Sequence, residues 1–173
     1  MRRERKQVTP DIALAKAEAL CSVAEYCTDD ILKKLSQWNL SLSESGKIIR
    51  RLVETRFIDN RRFALAFVRD KYRFSKWGVR KIRFALYQKH ISSDIINEAL
   101  EEGIDPKEYY SILLAVLRNK SRSIKEGNCF EGRTKLFRFA ASRGYETDLI
   151  ARAIRTERFF ENADDESYED EIQ

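Results

Sequence analysis

IRFALYQKHISSDIINEAL, residues 82–100, is the stretch that decides the fold. Ile82 and Leu86 are spaced for one face of a helix, Ile91 follows as an apolar anchor, and the pair Ala99 and Leu100 comes eight and nine residues after it. Between the two apolar sets stand His90, a residue type that tolerates a left-handed backbone, and the serines Ser92 and Ser93, which suit a helix start. The stretch therefore reads as helix, sharp corner, helix.

The same register occurs twice more. ILKKLSQWNLSLSESGKII, residues 31–49, centres on Leu40, and LFRFAASRGYETDLIARAI, residues 136–154, centres on Tyr145. Nine residues before the three centres stand Ile31, Ile82 and Leu136, and five before stand Leu35, Leu86 and Ala140. After them come Ile48 with Ile49, Ala99 with Leu100, and Ala153 with Ile154. The residues just before the centres, Asn39, His90 and Gly144, suit a helix C-terminus in the left-handed region. Ser41 or Ser43, Ser92 or Ser93, and Thr147 are the matching helix starts.

A longer apolar-periodic stretch precedes each pair, around residues 11–27, 60–74 and 105–119. With two prolines and six glycines in the chain, the prediction is all-α: three tandem three-helix repeats. One such unit buries little surface alone, so the repeats are expected to stack into an elongated molecule. The boundaries are a basic N-terminal segment at 1–10, repeats at 11–57, 58–103 and 104–157, the second the most basic, and an acidic tail at 158–173 predicted to be disordered.

Composition narrows the function. Of 173 residues, 43% are apolar, enough for a core, and 35% are charged. A mean hydropathy of −0.54 and the lack of a long apolar run argue against a membrane span, and no apolar segment follows MRRERKQVTP as a signal peptide requires. A cytoplasmic protein is expected. Cys21, Cys27 and Cys129 show no CxxC spacing and the single histidine, His90, is far from them, so small buried thiols are expected rather than a disulfide framework or a metal site. A Gly-rich phosphate loop, HExxH and GxSxG are all missing, and Glu101 and Glu102 lie on a polar helix face. No catalytic residue, metal or cofactor is predicted, and no enzyme.

The charge is uneven. Between Arg61 and Lys89 ten cations meet one acid, Asp70, whereas residues 159–173 hold seven acids and no base. A basic body with an acidic tail suits a polyanion binder whose tail competes for the basic surface, or a tail that only aids solubility. On a helix, Arg62, Arg69 and Arg73 fall within about 40° of one another, and Phe63, Phe67 and Phe74 on another sector are expected mainly in the core. On the next helix Arg80, Arg83, Phe84 and Tyr87 share a face opposite Val79, Ile82 and Leu86. Cations mixed with aromatic faces can neutralise phosphates and stack on bases, or seat in an acidic protein groove. Surface ion pairs are the competing explanation, and the middle repeat holds too few acids for it. Arg61, Arg62, Arg69, Arg73, Lys76, Arg80, Lys81 and Arg83 are the candidate partner- or DNA-binding residues.

FIDNRRFALAFVRDKY, residues 57–72, followed by WGVRKIRFALYQKHI, residues 77–91, resembles the junction of the first two repeats in the RecX family, regulators of the bacterial recombinase RecA. The resemblance runs from about residue 12 to 157, and its most specific part is Asp59-Asn60-Arg61-Arg62-Phe63-Ala64. Three positions depart from the family pattern: His90 and Arg56, where a glycine is usual, and Ala85, where an acid is common. The resemblance implies an elongated, curved protein that lies in the groove of the RecA–DNA filament and bridges protomers. It also implies suppression of ATP hydrolysis and strand exchange and promotion of net disassembly, with weak, non-specific DNA binding on its own. A string of modules would multiply modest contacts along the filament. A monomer is expected. Charge and repeat alone leave open a helix-turn-helix-like DNA-binding protein, with Arg80 and Arg83 placed as recognition residues.

Overall fold

The three corners adopt the left-handed backbone expected of them. Asn39, His90 and Gly144 have φ of 61°, 56° and 91°. In each, the N–H of the following apolar residue reaches back five residues: Leu40 to the Leu35 carbonyl, Ile91 to Leu86 and Tyr145 to Ala140, all at 3.2 Å. This bond satisfies a carbonyl that the helix end would leave orphaned, and the returning chain buries Ile91 and Tyr145, as suits apolar side chains. His90 and Arg56 (φ 59°) take the left-handed conformation without being glycine.

The structure, a computed structural model, describes residues 8–124 and 129–160, with the Cys129 side chain excepted. Most of the basic N-terminal segment and of the acidic tail lies outside the described residues. Within them are nine helices and no strand: α1 (Pro10–Val23), α2 (Thr28–Gln37), α3 (Leu42–Glu54), α4 (Asn60–Arg73), α5 (Val79–Tyr87), α6 (Ser93–Gly103), α7 (Pro106–Ser121), α8 (Cys129–Ser142) and α9 (Thr147–Thr156). None is long and apolar enough to cross a membrane.

Local sequence explains the helix starts. Thr9 and Asp105 cap α1 and α7, each with a proline inside the first turn. Ser41 and Glu44 form a reciprocal capping box on α3. Asp59 Oδ1 accepts from the N–H groups of Arg61 and Arg62 and so opens α4. At α9 the capping position is Glu146, whose side chain makes no capping bond, and Thr147 is the first helical residue.

Contacts divide the chain into two compact units. One is the chain up to Arg69 together with Phe84–Gly103, and the other is Asp70–Arg83 together with the chain from Ile104 onward.

In the first unit Ala13, Ala17, Ile31, Leu35, Ile48, Leu52 and Ile58 form a core cluster for α1–α3. Burial of such side chains is the main favourable contribution to the fold. Asn60 Oδ1 accepts from the Thr28 N–H at 3.1 Å, tying the start of α4 to the start of α2. Lys89 bonds Asp30 at 2.7 Å and lies over the Phe63 ring, while His90 Nδ1 meets Asp29 at 2.9 Å. Gly103 lets α6 end against α4, since a Cβ there would lie 2.9 Å from Val68 Cγ1.

In the second unit α7, α8 and α9 bury Leu113, Leu117, Leu136, Ala140, Ile150 and Ala153. A run of rings, Tyr72 to Tyr109 to Tyr145, continues through it with centroid separations of 6.4 and 5.3 Å.

One core expectation fails. Phe63 is buried and Phe67 half-buried, but Phe74 is 79% exposed. It lies one residue past the end of α4, where the helical period that placed it inward no longer applies. Of the cysteines, Cys27 is buried and Cys21 half-buried, while the Cys129 side chain lies outside the described residues.

Candidate nucleic-acid interface

The eight predicted contact residues divide between the two units. Arg61, Arg62 and Arg69 belong to the first, and Arg73, Lys76, Arg80, Lys81 and Arg83 to the second.

The α4 arginines are not unpartnered cations. Arg61 pairs with Glu98, Arg62 with Glu25 at 2.6 Å, Arg69 with Glu102 at 3.5 Å and Arg73 with Glu108 at 2.9 Å. The expectation that acids were too few is thereby corrected. The acids come from α6, from the α1–α2 connection and from α7, outside the stretch over which charges were counted. Each pair is partly exposed and screened by solvent, so it contributes little to stability. Arg62 has a structural task besides, for its Nη2 donates to the Arg56 and Phe57 carbonyls and holds the turn before α4. The Glu25 carboxylate raises its pKa further.

In the second unit the last turn of α4, the 74–78 connection and the first turns of α5 form one cationic and aromatic surface. Tyr72, fully buried, donates its hydroxyl to Glu108 at 2.6 Å, and Arg73 grips the same carboxylate through Nε and Nη2. Arg73 first and Tyr72 second hold the Glu108 carboxyl below its ordinary value, whereas burial pushes the Tyr72 phenol up. Trp77 has cations on its ring: Lys81 Nζ is 4.6 Å from the centroid and Lys71 Nζ 5.7 Å. Lys76 stands at φ 56° with its ammonium on the Arg73 carbonyl. Arg80 and Lys81 are exposed and make no ion pair among the described residues. Phe74, just past the end of α4, exposes a further aromatic ring in this unit.

This surface is fixed by the third corner. Arg143 donates to the carbonyls of Ser75 and Lys76 at 3.0 and 3.2 Å, and Tyr145 adds a bond to Lys76 at 3.3 Å. The Gly78 N–H bonds the Arg143 carbonyl at 2.8 Å and the Arg80 N–H bonds that of Gly144 at 3.0 Å. The Tyr109 hydroxyl accepts from the Val79 N–H and donates to Glu146, so the start of α5 is seated on α7 and α9 groups. Burial raises Tyr109 strongly and pushes Tyr145 up to about 12, so both stay neutral hydrogen-bonding phenols.

Sequence reasoning missed Lys71, Trp77 and Arg143. The spacing of Trp77 and Lys81, one helical turn, is the signal that could have found the first contact. Arg143 is linked to the surface only by the fold. Chemically, a cation set with an exposed ring can neutralise phosphates and stack on an unpaired base, or meet an acidic protein surface.

Comparison with known proteins follows the same repeats. The family description "RecX, second three-helix domain" matches residues 59–100, and "RecX, third three-helix domain" matches residues 107–154. A relative named "Regulatory protein RecX" from Chlorobium phaeobacteroides (strain BS1) is 32% identical over 130 residues, which cover 75% of this chain and 83% of that protein. The chain belongs to the RecX family. A RecX-named relative from Clostridium botulinum (strain Alaska E43 / Type E3) is 34% identical over 117 residues, 66% of this chain. There the chain spans about half of the relative's length, 54%. Among solved structures, the crystal structure of RecX from Lactobacillus salivarius superposes with a TM-score of 0.74 at 18% identity, covering 85% of this chain and 95% of the other. A second RecX crystal structure gives 0.71 at 20% identity. Both show the same helical fold.

Proposed function

We propose that this chain regulates the RecA recombinase by binding the RecA–DNA filament and lowering ATP hydrolysis and strand exchange. Membership of a family whose relatives are named regulatory proteins carries the reading. The surface around Phe74, Trp77, Arg80 and Lys81 supports it, because it offers cations and an exposed ring for a groove that contains DNA. Arg61, Arg62, Arg69 and Arg73 serve first as internal ties in this account, and reach a partner only by exchanging glutamate for phosphate.

A helix-turn-helix-like binder acting on DNA alone is the second reading. Arg80, exposed in the first turn of α5 and without an ion pair among the described residues, favours it. Fluorescence anisotropy on labelled single-stranded DNA, with and without assembled RecA and over a salt series, separates the two. A filament regulator binds naked DNA weakly and gains strongly when RecA is assembled. Tight binding to naked DNA with a steep salt slope and no gain from RecA refutes the regulator reading.

A further inference from the structure

We propose that the outer face of α1, closed on one side by Tyr26 and Trp38, is a docking groove for an acidic amphipathic helix of a partner protein. The proposal is independent of the basic surface described above.

Helix α1 is apolar on two faces. Ala13 and Ala17 point into the core of the first unit, as a helix packed on α3 requires. Ile12, Ala15, Ala19 and Val23 recur at intervals of three and four residues, so they lie in one straight stripe on another side. That stripe is in solvent: Ile12 is 50% exposed, Val23 88%, and both alanines are exposed. A surface helix ordinarily carries polar residues there, and a helix apolar on both sides is one that expects to be covered.

The stripe borders a groove of about 530 Å³ lined by Lys16, Ala19, Leu20, Val23, Tyr26 and Trp38. Within the stripe, the small residues Ala15 and Ala19 permit close approach of a helix, and Ile12 and Val23 at its ends supply bulk to pack against.

Its rim selects charge. Lys16 Nζ lies 5.5 Å from the Trp38 ring centroid and Lys34 Nζ 5.4 Å from that of Tyr26. The rings hold both ammonium groups at the groove edge, and neither makes an ion pair among the described residues. The acids of α1, Asp11 and Glu18, fall on the opposite flank from Lys16 when the helix is viewed end-on. An occupant with apolar residues on one face and carboxylates beside them satisfies floor and rim together. A polyanion without an apolar face would leave Leu20, Val23 and Trp38 uncovered, and a cationic helix would be repelled by the two lysines.

The test uses the full chain and a fluorescein-labelled peptide of about four helical turns, with leucines on one face and glutamates on both flanks. Matched peptides carry glutamine or lysine in place of glutamate. The expected result is binding of the glutamate peptide, a loss of at least about tenfold with the glutamine peptide or with Lys16→Glu/Lys34→Glu, and loss of binding with Val23→Asp. The lysine peptide should bind the Lys16→Glu/Lys34→Glu chain better than the parent chain, a charge-swap rescue that a merely structural role would not produce. Circular dichroism confirms that the variants fold, as expected for the exposed Lys16 and Val23 and the half-buried Lys34. Equal affinity for all three peptides, or for parent and Val23→Asp chains, overturns the proposal. So does a concentration-dependent dimer that Val23→Asp abolishes in sedimentation, which would make a second copy the occupant.

Discussion

Gly78 faces Gly144 so closely that a Cβ on Gly78 would lie 2.1 Å from the Gly144 carbonyl carbon, and one on Gly144 would lie 2.4 Å from Lys81 Cβ. The start of α5 is thereby pressed onto the backbone of the α8–α9 corner, with the Gly78 and Arg80 N–H groups bonded to it. The atoms in the way are backbone, which cannot swing aside as a flexible side chain can. Gly78→Ala is therefore expected to cost more than about 3 kcal/mol on chemical unfolding. A loss below about 1 kcal/mol would mean that α5 does not sit on this corner.

Tyr109→Phe removes the hydroxyl that links Val79 to Glu146 and leaves the Val79 N–H without its partner. The expected loss is about 1 to 3 kcal/mol. Leu86→Ala, at a fully buried site in the middle corner, should cost about 2 to 5 kcal/mol. Urea titrations of both variants check these values.

Protonation gives a fourth expectation. The Glu108 pKa is depressed in the folded protein from its ordinary 4.5, first by Arg73 and then by Tyr72. A depressed carboxyl contributes stability that is fully present above the unfolded pKa and is lost as pH falls through the folded value. Between about pH 5 and the folded pKa, Glu108→Gln should therefore show a shallower fall of stability with acid than the parent chain. Identical acid limbs in the two proteins would contradict the Tyr72–Glu108–Arg73 arrangement.

Charge variants should separate support from contact. Arg62→Ala loses the Glu25 pair and its bonds to the turn before α4, and is expected to lower stability by about 1 kcal/mol. Arg80→Glu with Lys81→Glu breaks no ion pair among the described residues and loses only the exposed Lys81 contact with the Trp77 ring, so the melting temperature should change little while binding to a RecA–DNA filament falls at least about tenfold. Tenfold weaker filament binding in a chain with Arg61→Ala and Arg69→Ala, and none in Arg80→Glu/Lys81→Glu, would place the contact face elsewhere.

The corners were legible in the sequence because everything that makes them is local. Asn39, His90 and Gly144 precede apolar residues whose N–H reaches back five positions, so period and residue type together specify the geometry. The site was legible only in part. Arg62 and Glu25, or Arg73 and Glu108, are more than thirty residues apart, and no local pattern marks such pairs. The Asp59-Asn60-Arg61-Arg62-Phe63-Ala64 run shows the consequence. It reads as a basic contact motif, yet Asp59 caps α4, Asn60 holds Thr28, Arg62 holds Glu25, and Phe63 and Ala64 are buried. Phe74 failed because a period was carried one residue past the helix that justified it.

The most direct test of the central claim is the steady-state ATPase rate of RecA on single-stranded DNA, with this protein titrated from well below one per RecA protomer. The account predicts that the rate falls at substoichiometric ratios, and that Arg80→Glu/Lys81→Glu shifts the titration to higher concentration. A rate that falls only once the protein coats the DNA, or does not fall at all, would contradict it.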